Sequence, residues 1–104
     1  MRIRRKPWAR PELAACDFFI SVEDAPKHKG KWNAAFLKKN PIHLELGCGK
    51  GQFISKIAFE NEDINYIGVD IKSEMLAVAR RNIVKLFDDN NKSVDNIKLV
   101  SFNV

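Results

Sequence analysis

The feature that most constrains this chain is a run of three glycines at alternate positions, Gly47, Gly49 and Gly51, directly after the short apolar stretch Ile42–Leu46. Such a stretch is typical of a buried strand. Glycine lets the chain turn sharply from a strand into a helix, because it adopts backbone angles that side chains resist. A bare main chain also lets a ligand approach closely. The run therefore predicts a ligand-binding strand-to-helix turn, with a turn that binds nothing as the alternative.

From residue 41 onward, segments with strand and helix patterns alternate. Strands are predicted at Ile42–Leu46, Asn65–Asp70 and residues 97–103. Because two helices connect them, the strands must run parallel. This β-α-β-α-β order predicts an α/β, Rossmann-like fold, the first half of a doubly wound parallel sheet.

The two connecting helices are predicted from apolar residues that recur every three or four positions. The first covers residues 51–60, and its predicted inner face consists of Phe53, Ile54, Ile57 and Ala58. The second follows Ser73, its predicted N-cap, and its apolar face consists of Leu76, Ala79, Ile83 and Leu86.

Three strands alone leave the first strand with one unpaired, apolar edge. In a doubly wound sheet that strand is central, and natural proteins avoid exposing such an edge. The sequence therefore predicts the front half of a larger domain.

The positive charge lies in the first forty residues. They hold ten Lys and Arg against four Asp and Glu, whereas residues 41–104 hold eight against nine. Prolines interrupt residues 1–31, which we interpret as an extended arm with an apolar patch at residues 18–20 that docks on the main body. One short helix is predicted within residues 31–39. The charge favours contact with a polyanion, and a solvated leader that only aids solubility is the alternative.

Glu45 is the unexpected residue of the first strand. A central parallel strand is normally apolar on both faces, and a carboxylate there costs free energy unless a partner satisfies it. The ammonium group of a methionine-like ligand is one such partner. An internal ion pair is the alternative.

Two polar residues lie at the carboxyl ends of the second and third predicted strands, on the same rim of the sheet. Asp70 can accept hydrogen bonds from both hydroxyls of a ribose, as the corresponding acid does in dinucleotide folds, and a turn or helix-capping aspartate is the alternative. Asn103 can pair with an adenine edge, because its amide both donates and accepts. The glycine spacing is not the G-x-G-x-x-G of dinucleotide oxidoreductases. It therefore favours S-adenosylmethionine over hydride transfer with NAD.

Two segments, residues 43–53 and 66–71, resemble the bacterial tRNA (guanine-N7-)-methyltransferase family, and residues 1–13 and 29–32 resemble its basic N-terminal region. The resemblance covers essentially all 104 residues. It implies a class I methyltransferase fold, S-adenosylmethionine as the methyl donor, and methylation of N7 of a guanine in the variable loop of tRNA.

By the same resemblance, Glu45, Asp70 and Asn103 fall on cofactor-contacting positions, beside the glycine run. Residues 1–40 would form a basic arm with a short helix, and residues 41–104 the cofactor-binding half. The family's later Asp-Pro-Trp and basic motifs have no counterpart here, so catalytic residues are expected beyond Val104. Five basic residues are expected to hold RNA phosphate: Arg2, Arg4, Arg5, Lys6 and Arg10.

Other functional classes find less support. The chain lacks H-E-x-x-H, CxxC pairs and G-x-S-x-G, so metal hydrolysis and serine nucleophiles are not indicated. Two cysteines make no disulfide framework, and no apolar stretch is long enough for a membrane span, so a cytoplasmic protein is expected. The alternatives are a class I methyltransferase with another substrate and an RNA-binding fragment without catalytic competence.

Overall fold

The computed structural model describes residues 7–101, which form one parallel sheet of four strands with helices packed on it. The strands are β1 (Phe19–Ile20), β2 (Ile42–Leu46), β3 (Asn65–Asp70) and β4 (Ile97–Ser101). Their order across the sheet is β1-β4-β3-β2, and every neighbouring pair is parallel. The predicted α/β class and the parallel β-α-β-α-β arrangement are confirmed, and β2 lies at an edge of the sheet.

Within residues 7–101, three α-helices accompany the sheet: α1 (Ala9–Ala14), α2 (Gln52–Glu60) and α3 (Ser73–Asp89). Two 3₁₀ turns, Ala25–His28 and Trp32–Ala35, lie between β1 and β2. The helix predicted within residues 31–39 is therefore only a four-residue turn. Phe36 follows it in an extended conformation and is buried against the sheet.

The two faces of the sheet differ in how well they are covered. On one face, α1, α2 and α3 bury the main core, whose largest fully buried side chains include Ile54, Leu76, Ile83 and Leu99. The other face carries a smaller cluster built on Ile20, Phe36, Ile67 and Val100. Part of this second face remains uncovered along β2.

The N-terminal segment packs on the domain more closely than an extended arm would. The apolar patch does dock on the body as predicted, since Phe19 and Ile20 pair with Leu99 and Val100 of β4. The helix α1, which the sequence did not predict, packs on α3. The Glu12 carboxylate accepts hydrogen bonds from Arg81 Nε at 2.9 and 3.1 Å.

Three details of the predicted helices are wrong. Phe53 is 65% exposed, because it lies on the side of α2 that neither the sheet nor α3 covers, whereas Ile54 and Ala58 are fully buried. Leu86 is only partly buried, and the neighbouring Phe87 takes the core position. Ser73 is the first residue of α3 and not its N-cap, which is Lys72.

Candidate functional site

The glycine run forms the turn between β2 and α2. Gly47, Gly49 and Gly51 have φ of +65°, +56° and +72°, values that favour glycine. The backbone N–H groups of Gly47 and Cys48 donate to the carbonyl oxygen of Val69, at 2.7 and 3.1 Å. The turn is thus tied to the carboxyl end of β3, which is where ligands bind in open α/β sheets.

The three glycines have different surroundings. A Cβ placed on Gly51 would lie 2.7 Å from the Cβ of Ala79 in α3, so this glycine is needed for helix packing. A Cβ on Gly47 would meet nothing within 4 Å, and one on Gly49 would meet only the Met75 side chain at 3.8 Å. Positive φ with free space above the main chain leaves room for a ligand at these two positions.

Asp70 uses both carboxylate oxygens to organise this turn. One accepts a hydrogen bond from the backbone N–H of Gly49 at 3.2 Å, and the other from the N–H of Lys72 at 3.0 Å. Asp70 therefore does act as a turn aspartate, which was the alternative interpretation of this residue. The same hydrogen bonds hold its carboxylate beside the glycine run. A ligand hydroxyl reaching Asp70 would be within reach of the same loop.

Glu45 lies on the same face and the same rim as Asp70. In the sheet it is opposite Gly68, two residues before Asp70. Gly68 has no side chain, and a Cβ there would lie 2.9 Å from Ile54. Partial burial raises the pKa of the Glu45 carboxyl above its ordinary value. No ion pair within residues 7–101 involves Glu45, so the internal ion pair is not observed in this part of the chain.

Cys48 lies near both carboxylates and is buried. Desolvation raises the pKa of its thiol to about 12, and the charges of Asp70 and Glu45 contribute in the same direction. The thiol is therefore neutral at physiological pH and unsuited to nucleophilic chemistry, because the thiolate is the reactive form.

Several predicted site residues fall outside the described part of the chain. They are Asn103 and four residues of the basic arm, Arg2, Arg4, Arg5 and Lys6. Arg10, the fifth basic residue, is exposed on α1. It lines a cavity of about 510 Å³ together with Ser73 and Ser101. Because Ser101 ends β4 opposite Asp70, this cavity opens at the rim that carries the glycine run.

Three further residues lie beside the candidate site but were not singled out from the sequence. Ile71, next to Asp70, is 60% exposed and offers an apolar surface. Met75 flanks Gly49, and the Asn82 amide donates to the carbonyl oxygen of Lys50 at 2.8 Å. An apolar residue after a strand-end aspartate was a visible signal for Ile71. The contacts of Met75 and Asn82 depend on the packing of α3, so the sequence carries no signal for these two residues.

Two kinds of site find no support in residues 7–101. No group of three or more His, Cys, Asp and Glu residues there is placed to hold a metal ion. No helix among the described residues is both long and apolar enough to cross a membrane.

Comparisons with known proteins show which family the sequence of this chain belongs to. A family model described as "Putative methyltransferase" matches residues 39–104. A tRNA (guanine-N(7)-)-methyltransferase of Ruminiclostridium cellulolyticum is 59% identical over 105 residues, covering 100% of this chain and 44% of that protein. Proteins of the same name from Clostridium botulinum (strain Eklund 17B) and Clostridium beijerinckii are each 54% identical over 101 residues, covering 97% of this chain and 45% of theirs. The resemblance found in the sequence is confirmed, and the chain spans less than half the length of these curated relatives.

Proposed function

The chain belongs to the family described as "Putative methyltransferase", and we propose that within it residues 41–104 bind S-adenosylmethionine. The observation that carries this proposal is the pair of acidic residues, Glu45 and Asp70, on either side of a glycine turn that has free space above it. A carboxylate held at a strand end without an ionic partner in the described chain is poised for a cationic ligand.

The residues present offer a suitable contact to each group of S-adenosylmethionine. Glu45 offers a carboxylate to the ammonium group, and Asp70 offers two oxygens to ribose hydroxyls. Gly47 and Gly49 leave the main chain bare, so a ligand can lie against it. The exposed side chain of Ile71 provides a surface on which a purine ring could pack. Asn103 remains a predicted contact to the adenine edge.

For the whole enzyme we propose methylation of N7 of a guanine in the variable loop of tRNA, in line with the names of the relatives. When bound, the donor supplies an electrophilic methyl group. Guanine N7 already has an in-plane lone pair, so the residues of this chain need only position the reactants and supply no general base. Such positioning can account for about 7–11 kcal/mol of a barrier. No described residue is assigned a catalytic role.

The basic arm is proposed as the contact to RNA phosphate. Arg10 supports this, since its exposed side chain lies at the cavity on the cofactor rim. Arg2, Arg4, Arg5 and Lys6 precede it closely in the sequence and would extend the positive surface. A tRNA substrate would place the enzyme in the cytosol.

The first test is a calorimetric titration of the purified chain with S-adenosylmethionine and, separately, with NAD. We expect saturable one-to-one binding of S-adenosylmethionine and none of NAD. Gly47→Ala should weaken binding, because the added methyl group projects into the free space of the site. Gly30→Ala is the matched control, since Gly30 also has positive φ and an added Cβ would meet nothing within 4 Å, but it lies outside the site.

Three outcomes of this titration would count against the proposal. Absence of saturable S-adenosylmethionine binding would exclude both methyltransferase interpretations for this chain. Binding of NAD alone would favour the dinucleotide alternative. Equal effects of the two glycine substitutions would mean that Gly47 matters only for its backbone conformation.

The second test concerns the arm. Arg4→Ala combined with Arg5→Ala should weaken tRNA binding and make the slope of log K against log salt less steep by about 1.4–1.8, since each neutralised phosphate contributes roughly 0.7–0.9. The control removes two exposed charges on the helices, Lys56→Ala with Lys85→Ala. Filter binding over a salt series measures the tRNA affinity and its salt dependence for both double variants. An unchanged slope in the arm variant would favour a methyltransferase with another kind of substrate.

A further inference from the structure

The start of α1 is held on α3 by a cluster of charged and aromatic side chains. The Arg81 guanidinium lies over the Trp8 ring, 3.5 Å from its centre. Arg81 Nε also donates to both oxygens of the Glu12 carboxylate, at 2.9 and 3.1 Å. Arg80 Nη1 lies 3.4 Å from the same carboxylate. We call these four residues the α1 anchor, and four of the five basic residues proposed to contact RNA precede it in the sequence.

The anchor acts at the end of α1 from which these basic residues extend. Apolar burial docks the helix on the body, since Ala9 is 1% and Leu13 2% exposed. The helix has only six residues, and no side chain within residues 7–101 caps its N-terminus. A helix this short is marginal by itself. The contact between Arg81 and Trp8 therefore fixes the first turn, and Pro7, whose ring restricts its φ, stiffens the junction before it.

The same turn of α3 also holds the glycine run. Ala79 lies against Gly51, because a Cβ added to Gly51 would be 2.7 Å from the Ala79 Cβ. The Asn82 amide donates to the carbonyl oxygen of Lys50 at 2.8 Å. Residues three apart lie on one side of a helix. Ala79 and Asn82 thus contact the glycine turn, whereas the two residues between them contact α1.

We propose that Trp8, Glu12 and Arg81 are positioning residues, which fix the origin of the basic arm relative to the donor site. This rests on the proposed function, in which the arm binds RNA and the glycine turn binds S-adenosylmethionine. One helical turn that holds both regions leaves little freedom between them. Without the anchor, a freely moving arm would have to be ordered when RNA binds, which weakens binding. The target base would also be placed less accurately against the methyl group, and small misplacements slow a reaction strongly.

The test compares two double variants that both leave the net charge unchanged. Glu12→Gln with Arg81→Ala removes one negative and one positive charge from the anchor. Asp17→Asn with Lys85→Ala is the control, which removes the same charges from exposed positions in the N-terminal segment and in α3. Within residues 7–101, Asp17 has no ion pair and Lys85 pairs only with Asp89.

The anchor variant should bind an unmodified tRNA transcript about three- to tenfold more weakly than the parent chain, because the arm loses its fixed origin. The slope of log K against log salt should stay the same, since the arm still meets the same number of phosphates. Its affinity for S-adenosylmethionine should also be unchanged. Filter binding over a salt series measures the first two quantities, and calorimetry measures the third. The control variant should match the parent chain in all three.

Glu12→Gln alone is a milder variant for the case that the double change unfolds the chain, since it keeps Arg81 over Trp8. It makes the chain more positive by one charge. Charge alone therefore predicts tighter tRNA binding, whereas the positioning role predicts weaker binding. Tighter binding by this variant would overturn the proposal.

The other outcomes separate this proposal from the proposed function. Equal tRNA affinities of the anchor and control variants would overturn it. A shallower salt slope in the anchor variant would do so too, because Arg81 would then contact phosphate itself. An equal loss of S-adenosylmethionine affinity would mean that the anchor only supports the fold. If the parent chain binds no tRNA, or if Arg4→Ala with Arg5→Ala leaves binding unchanged, the RNA role of the arm is contradicted together with the positioning role.

Discussion

Replacing Gly51 with alanine should lower the free energy of unfolding by about 3 kcal/mol. The backbone conformation, with φ of +72°, disfavours any side chain by roughly 1–2 kcal/mol. The new methyl group would also lie 2.7 Å from the Cβ and 3.0 Å from the Cα of Ala79, both in the fully buried part of α3. Overpacking of this kind costs about 1–3 kcal/mol. Urea unfolding followed by circular dichroism measures the loss.

Two further substitutions separate the backbone penalty from the crowding against Ala79. Gly30→Ala has the same backbone penalty, with φ of +75°, but nothing within 4 Å, so it should cost about 1 kcal/mol. Ala79→Gly removes the atom that Gly51→Ala would strike. In that background the Gly51 substitution should cost about 1–2 kcal/mol less, a coupling typical of residues in contact. Simple additivity of the two changes would show that the crowding argument is wrong.

The order of the main elements could be predicted because its signals are local. The alternation of apolar runs, the glycine turn after Ile42–Leu46 and the three-four spacing in α3 depend on neighbouring residues only. The structure has strands β2, β3 and β4 and helices α2 and α3 where the sequence predicted them. The predicted division at residue 40 stays a prediction.

The N-terminal elements could not be predicted in the same way. β1 has two residues, too few to show a period, and it exists because β4 lies beside it. We interpreted Pro11 as an interruption, yet it lies in the first turn of α1. Proline is tolerated there, because the first N–H groups of a helix have no intrahelical acceptor. Contacts with α3, including the Arg81 guanidinium 3.5 Å from the ring centre of Trp8, hold this short helix in place.

Periodicity also failed to give the width of a buried face. It assigned Phe53 to the core of α2 because of its spacing, but only the arrangement of β2 at the sheet edge decides that this side is uncovered. Asn96 gives the opposite case. Its polar side chain gives no sign of burial in the sequence, yet its buried amide donates to the carbonyl oxygens of Ala58, Asn61 and Ile64 at 2.9–3.1 Å.

For the site, the sequence predicted that Glu45 and Asp70 lie on one rim, but not that the three glycines have different surroundings. The positions of Glu45 and Asp70 at strand ends follow from the parallel topology. That Gly51 serves helix packing whereas Gly47 and Gly49 leave free space depends on where Ala79 and Met75 lie. The absence of an ionic partner for Glu45 within residues 7–101 likewise needs three-dimensional contacts.

Changing Glu45 to glutamine should weaken S-adenosylmethionine binding at pH 7 roughly 10- to 100-fold, because a hydrogen bond to a charged group contributes about 1.5–3 kcal/mol. Binding needs the ionised carboxylate, and burial raises its pKa above the ordinary 4.5. Affinity of the parent chain should therefore fall as the pH is lowered through this raised pKa. The glutamine variant should lack that dependence. Calorimetric titrations over a pH series measure both effects.

The stability of the free chain should respond in the opposite direction. A carboxyl with a raised folded-state pKa contributes stability that is fully present below its unfolded pKa and is lost as the pH rises through the folded pKa. Glu45→Gln should therefore leave the free chain at least as stable at pH 7 while it weakens donor binding. Glu60→Gln is the matched control, since Glu60 is exposed at the end of α2 far from the glycine turn. If Glu45→Gln destabilised the chain and left binding unchanged, the carboxylate would have a structural role, and the assignment of Glu45 to the donor's ammonium group would have to be abandoned.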